Sequence, residues 1–382
     1  FEFPVVSGPY KIKEFREDRY VELERNQDWW GFAKNWNRGK YNFEKIKFRF
    51  MEDQTKVLEA FKKQNFDAYA LYTSAIWMKQ TDFDAVQKGH VVKQKIYNKE
   101  PIGFQGMAFN LRKEKFQDVR VRKALSMLMN REMMNEKYMY NQYFLLNSYY
   151  PDLWESNKNP SAPEFAYAPD SARKLLSEAG FVPDAEGMLS KNGKPFEITF
   201  ITSSSEMRHL TLYQEDLKKA GIRVNIEQMS QSTLRKRLDE ADFDMYWVNW
   251  GAGRLRDPEA SWHSATANAK GTNNLSGLQD AVVDSLINLQ KTEFNLEKRN
   301  EILRSLDNRL TEIVPYVLMW QADHHRMLYW NRFGTPEKVF DKFGREESIP
   351  VYWFYDAKKA NALNKAIKEG KTLPSEPKEV RQ

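Results

Sequence analysis

A two-lobed α/β protein is the fold class this sequence predicts, and three observations carry it. The chain has 382 residues, more than one hydrophobic core usually organises. Apolar residues alternate and then recur at helical spacing in a repeated strand–helix–strand rhythm, first over residues 45–70 and again over 196–229. Between them, an alternating run (Phe104, Met107, Phe109) gives way at Asp118 to apolar positions at Val121, Ala124, Leu125, Leu128 and Met129. The period changes there from two to 3.6, so a strand feeds a helix whose first free amides Asp118 can cap.

The elements follow in order. Ser7-Gly8-Pro9-Tyr10 is a turn, and Arg19 to Asn26 alternates as a strand with one wet face. Ile46, Phe48 and Phe50 mark a further strand, a helix carries Val57, Leu58 and Phe61, and Phe66 to Ala70 closes the unit. The aromatics of Tyr138 to Tyr150 lack a clean period and read either as a receiving surface or as a packed loop. Pro169-Asp170 opens a helix with Ala172, Leu175, Leu176 and Ala179 on one face, and Gly180 ends it as a left-handed cap. A strand from Phe196 to Thr202, a helix from about Glu206 to Ala220 and a strand from Arg223 to Met229 form a βαβ unit. Ligands of such units lie at the carboxyl ends of the strands, which puts Ser203, Ser204, Ser205, Arg208 and His209 at the helix start. A serine-rich cap with solvated Arg208 and His209 reads the same residues equally well.

Phe243 to Trp250 is the next strand, with Tyr246 within it. It runs into Gly251-Ala252-Gly253-Arg254, where small residues let a backbone approach a ligand. Two amphipathic helices (Val283, Leu286, Ile287; Ile302, Leu303, Leu306, Leu310) and a returning strand, Pro315 to Trp320, follow. Beyond Lys358 the composition turns charged, with Pro374 and Pro377, and reads as a surface helix and a loose end.

The chemical inventory narrows the function. The 59 basic and 53 acidic residues give a net charge of +6, but they are interspersed and form no stripe for nucleic acid. Zero cysteines exclude disulfides and thiolate chemistry and fit an oxidising compartment. No stretch approaches the ~20 apolar residues that span a bilayer. The five histidines are scattered, which disfavours a metal site. No Gly-x-Ser-x-Gly elbow and no phosphate-binding glycine loop occurs. The chain opens at Phe1-Glu2-Phe3-Pro4 without a Met, so its start is expected upstream.

Several segments resemble the family 5 solute-binding proteins, the peptide-binding components of ABC importers. The match begins with Gly8-Pro9-Tyr10 followed by Glu24-Arg25-Asn26 and Trp29-Trp30. It continues in Phe109-Asn110 with Asp118 to Leu125 and Asn130-Arg131-Glu132, then in Lys174 to Gly180 and Tyr352 to Asp356. Tyr140-Asn141-Gln142-Tyr143 with Ser148-Tyr149-Tyr150, Leu217 to Ile222, Trp262-His263-Ser264 and Gly271-Thr272-Asn273-Asn274 are most similar to the YejA-type branch.

The resemblance implies a two-lobed periplasmic-binding-protein fold, type II-like with an extra domain. This chain would carry part of lobe one (1–102), the complete C-terminal lobe (103–322), and a return to lobe one with a tail (323–382), the N-terminal part being missing. It implies a binding protein, not an enzyme, with no cofactor and no metal. A peptide or peptide-derived ligand would be held between the lobes and delivered, after hinge closure near 103–110 and 320–326, to the transmembrane subunits of a permease. The protein would be a monomer in the periplasm, or anchored outside the cytoplasm as a lipoprotein. Oligosaccharides, opines and metal chelates stay open as solutes because one fold serves many ligands, and a hydrolase is the remotest alternative. The expected ligand contacts are Ser204, Arg208, His209, Tyr246, Trp250, Gly251, Ala252, Gly253, Arg254, Trp262, Asn273 and Asn274. In the family's dipeptide and oligopeptide binders an Asp a few residues past the strand-ending Trp pairs with the ligand's α-amino group. Here Gly253 stands at that place, and Asp257 aligns with a different acidic residue beside the Pro. Arg254 then either reads an acidic group on the ligand by a bidentate fork or points to solvent.

Overall fold

The computed structural model describes residues 3–51, 53–204 and 208–382. The chain divides into two compact units, Phe1–Glu100 with Asp323–Gln382, and Pro101–Ala322.

The second unit is built on one five-stranded sheet. Its strands are β1 (Phe104–Phe109), β2 (Glu197–Thr202), β3 (Arg223–Gln228), β4 (Met245–Trp250) and β5 (Tyr316–Leu318), in the order β3-β2-β4-β1-β5. β2 runs parallel to β3 and β4, whereas β1 is antiparallel to β4 and β5. The connecting helices are α1 (Val119–Met127), α2 (Arg131–Met139), α3 (Pro169–Glu178), α4 (Arg208–Lys219), α5 (Gln231–Asp239), α6 (Ala281–Thr292) and α7 (Leu296–Ile313). Asp118 caps α1 by accepting from the Arg120 amide, and Gly180, at φ +92°, stands just past α3, as the residue types require.

Strand alternation gives each sheet face its own core. Met107, Phe109, Ile198, Phe200, Met245 and Val317 pack under α1, α3 and α4. Phe104, Ala108, Ile201 and Tyr316 pack under α6 and α7 through Val283, Ile287, Leu303, Leu306 and Leu310. Both faces are covered, so the strands read as nearly continuous apolar runs. Tyr149 and Tyr150 belong to the second core and are not the receiving surface that aperiodic aromatics allowed. Asp307 of α7 holds their segment, accepting from the Tyr149 amide at 2.7 Å, Ser148 Oγ at 2.7 Å and Trp154 Nε1 at 2.7 Å.

The first unit contains a four-stranded sheet in the order 379–381, 91–97, 325–330, 68–70. Leu58, Phe61, Trp77, Leu328 and Leu363 cover one side and Val92, Ile96, Met327 and Trp353 the other. The tail differs from the expected loose end. Glu379–Arg381 pairs in parallel with Lys95–Tyr97, the Arg381 guanidinium lies 4.0 Å from the Tyr97 ring centroid, and Gln382 bonds the Val339 amide. Charged side chains can stay in water at such an edge while the backbone pairs.

A separate three-stranded antiparallel sheet, 10–16, 20–25 and 45–49, has a charged face laced by Lys11–Glu24 (3.3 Å) and Lys47–Glu22 (2.8 Å). Its other face aligns Ile12, Leu23 and Ile46, then Phe15, Val21 and Phe48. None of these six belongs to the buried clusters found among the described residues.

The chain crosses between units twice, and strands close to the two crossings are paired within each unit. His325 pairs with Ile96 in the first, and Leu318 pairs with Gly106 in the second.

Candidate functional site

The sheet of the second unit has a topological break. β2 matches β3 over six pairs and β4 matches β1 over six, but β2 and β4 share only Phe200↔Met245 and Ile201↔Tyr246. The ladder stops there, so Thr202 and Trp247 begin two strand ends that no longer pair with each other. The connection after β2 leads outward to β3, and the one after β3 returns across β2 to β4. This is the switch point at which α/β sheets open a crevice beyond the carboxyl ends of their strands.

On the β2 side stand Ser203 and exposed Ser204, whose amide donates to Thr202 Oγ1 at 3.1 Å. Ser205 and Glu206, which the sequence placed at the helix start, lie outside the described residues. Arg208 opens α4, exposed, its guanidinium 5.5 Å from the Tyr138 ring centroid. His209 is half-buried, with its ring 6.1 Å from Trp247 and 6.3 Å from Trp320. Burial pulls its imidazolium down to about 4, so the ring is neutral at pH 7.

On the β4 side, alternation divides the strand. Trp247 and Asn249 follow Met245 on the α4 face, while Tyr246, Val248 and Trp250 lie on the other. Tyr246 is half-buried, and burial raises its phenol. Trp250 Nε1 approaches the Tyr316 hydroxyl at 3.4 Å. At Gly251 an added Cβ would meet nothing within 4 Å, and at Gly253 only Leu255 O at 3.5 Å, so this loop is open. The tight approach is at Gly103, where a Cβ would sit 1.8 Å from Trp250 O. Ala252 is half-buried and Arg254 is exposed. The loop's base is fixed by Arg256, which pairs with Asp152, lies 5.8 Å from the Tyr150 ring and accepts from Arg299 Nη2 at its carbonyl (3.0 Å). Asp257 accepts from the Glu259 amide at 3.1 Å, just ahead of a short helix, Glu259–Trp262.

Three expected contacts are not brought to the crevice. Trp262 is 2% exposed and packs in the aromatic core with Phe104 at 5.9 Å and Tyr149 at 5.3 Å. Asn274 is fully buried and closes its own loop, accepting from the Leu278 amide at 2.9 Å and donating to the Leu278 carbonyl at 3.0 Å. Asn273 is exposed on that same loop, but the loop sits at the opposite, amino end of β4. Arg112 fixes it there, donating to Leu275 O and to Asn110 Oδ1, while Asn110 donates to the carbonyls of Ala241 and Phe243.

Sequence reasoning missed Trp247, Asn249, Trp320 and Gln321 as contacts, and offered Tyr138 only among the aromatics of a possible receiving surface. Gln321 Nε2 lies 3.5 Å from both Asn249 Oδ1 and Gly103 O, and Trp320 O accepts from Gln105 Nε2 at 2.7 Å. The alternation of β4 could have singled out Trp247 and Asn249 as a pair. Trp320 and Gln321 become neighbours of the site through strand order alone. Among the described residues, no three His, Asp or Glu side chains gather as metal ligands would.

Known proteins share this architecture. The YejA protein of Escherichia coli, itself named as uncharacterized, is 28% identical over 96% of this chain and 66% of its own length. A protein of Agrobacterium fabrum named as a probable peptide-binding protein, YejA, is 29% identical over 87% of this chain and 60% of its own. The chain thus spans about three fifths of the length of the curated relatives it matches. In structure, the oligopeptide-binding protein AppA of Bacillus subtilis, solved with a nonapeptide, superposes with a TM-score of 0.74 at 20% identity, over 91% of this chain and 66% of that one. That likeness establishes the α/β fold expected for the family. The model of the bacterial extracellular solute-binding proteins, family 5 Middle, matches residues 1–273, and the chain belongs to that family.

Proposed function

We propose that this chain is the solute-capturing part of a binding protein outside the cytoplasm that takes up peptides or peptide-derived compounds and hands them to the transmembrane subunits of an ABC importer. The observation that carries the reading is the switch-point crevice, walled by Trp247 and His209 and edged by Ser204, Asn249 and an open glycine loop. Aromatic walls with a few neutral polar groups suit a main chain whose side chains vary. The peptide-binding name of the Agrobacterium relative supports the same ligand class.

Within this reading Arg254, with help from Arg208, recognises an acidic group of the ligand. No carboxylate stands at the position that meets an α-amino group in the family's dipeptide and oligopeptide binders, since Gly253 occupies it. A guanidinium engages a carboxylate with two parallel bonds, contributing about 1.5–3 kcal/mol for each charge-assisted bond made away from water. The test is calorimetric titration of the intact protein with a pool of acidic peptides, followed by mass spectrometry of the bound species. Binding should raise the melting temperature and leave the peptides uncleaved. Arg254→Ala should weaken affinity about ten-fold or more, about 1.4 kcal/mol, while N-acetylation of the peptide changes it little. Loss of binding on acetylation, with Arg254→Ala unaffected, would move the anchor elsewhere.

A further inference from the structure

We propose that the loop Trp29–Lys40 of the first unit is a membrane contact, resting on the anionic headgroups of a phospholipid surface. The inference goes beyond the peptide reading and takes from it only that the protein works beside a membrane outside the cytoplasm.

The loop is two consecutive 3-10 turns, Trp30–Ala33 and Asn35–Asn37. Trp29 is turned inward and braces them. Its Nε1 donates to Ser7 O at 2.8 Å, and its ring meets Phe32 at 5.1 Å and Tyr41 at 5.3 Å. Gly31 is buried against that indole, where a Cβ would come within 2.3 Å of it. Buried Asn37 donates to Gly31 O at 2.9 Å and ties the second turn to the first. Trp30 and Trp36 each precede one member of that tied pair, so the bond that closes the loop also brings their backbones together. Yet Trp30 is 62% and Trp36 66% exposed. Apolar side chains exposed singly are ordinary, but two open indoles on one braced loop mark a contact surface.

Charge decides the partner. Lys34, Arg38 and Lys40 lie in the run 29–43, which holds no Asp, Glu or His. Lys34 Nζ is 5.9 Å from the Trp36 ring centroid, Lys40 Nζ is 5.4 Å from that of Tyr352, and Arg38 is exposed. An indole suits the headgroup layer, where its body leaves water while its N–H stays wet, and cations beside it are drawn to anionic lipid. A protein partner would also use Trp and Arg, but lysine is depleted at protein interfaces, and two of these three cations are lysines. One small loop gives a reversible contact, not an anchor. With no histidine in the run, the contact responds to salt and not to pH between 5.5 and 8.

Co-sedimentation of the intact protein with vesicles of phosphatidylethanolamine and phosphatidylglycerol, against vesicles of phosphatidylcholine alone, tests this without any peptide. The anionic vesicles should retain the protein about ten-fold more strongly, and the difference should vanish in about 0.5 M salt. Brominated lipid should quench part of the tryptophan fluorescence. The Trp30→Ala/Trp36→Ala pair should lose that quenching and bind about five-fold more weakly, and the Lys34→Glu/Arg38→Glu pair should bind about ten-fold more weakly. An unchanged melting temperature tells loss of contact from loss of fold, and if one pair lowers it, the other pair decides. No retention by the anionic vesicles, or retention that the folded variants keep, overturns the membrane contact. Variants that bind vesicles like the wild type yet weaken transport by the reconstituted importer would also overturn it, and assign the loop to the transmembrane subunits. The peptide titration needs no vesicle, so it judges the binding reading separately.

Discussion

His209 is held neutral by burial, with its charged form pulled down to about 4 from the unperturbed value near 6.5. The unfolded chain takes up a proton in that window that the fold refuses. The stabilising effect is therefore complete above pH ~6.5 and is lost as pH falls toward 4, amounting to at most about 3 kcal/mol. His209→Phe should remove this part of the pH dependence. Chemical denaturation at pH 7, 5.5 and 4.5 should show the wild type losing its margin over the variant as the solution is acidified, and a difference that stays flat would count against burial as the cause. Arg122 and Arg131 show the same physics with a different outcome. Arg122 is pulled down to about 10 by burial and remains charged by donating to the carbonyls of Ile313, Val314 and Gln117. Arg131 likewise donates to those of Leu146, Leu318 and Phe165. Both belong to the segments that carried the family resemblance, and their work is to fix loops. Such roles are illegible in sequence, because a carbonyl partner can come from any residue type. Ser204, Arg208 and His209 were legible because helix starts at strand ends are fixed by chain order. Asn274 misled because a buried loop-closing Asn and a ligand-binding Asn look alike in sequence.

At the scale of elements, two glycines in one neighbourhood separate backbone demand from mere openness. Gly103 faces the Trp250 carbonyl at 1.8 Å from where a Cβ would stand, whereas Gly251 meets nothing within 4 Å. Gly103→Ala must push β1 and β4 apart at the mouth of the crevice and should cost about 2 kcal/mol or more. Gly251→Ala should stay within about 0.5 kcal/mol of wild type. Urea titration of the two variants checks the contrast, and equal stabilities would mean that the end of β4 yields freely. The strands and helices themselves were read correctly where periodicity ran long, as in β1 into α1 and β2 through β3. The edge strand Glu379–Arg381 was not, since three charged or polar-flanked residues carry no alternation and owe their pairing to a neighbour far away in sequence.

For the whole molecule, burial is uneven. The second unit closes two cores on its sheet, whereas the three-stranded sheet of the first leaves Phe15 43% and Phe48 48% exposed. A sheet face whose aromatic side chains stay this exposed adds little to stability. Calorimetry of this chain should therefore resolve two transitions, the upper one belonging to residues 101–322, and a single sharp transition would contradict that assignment. The two crossings sharpen the experiment. The second unit is an uninterrupted run, Pro101–Ala322, in which β1 and β5, close to its two ends, are ladder partners, with Gln321 Nε2 3.5 Å from Gly103 O. A segment with adjoining ends can be cut out, or spliced into a surface loop of another host, without stretching either chain. The unit carrying the crevice is in this sense a cassette: its ligand chemistry can be exchanged between relatives as a single piece of gene, with two junctions to heal instead of many.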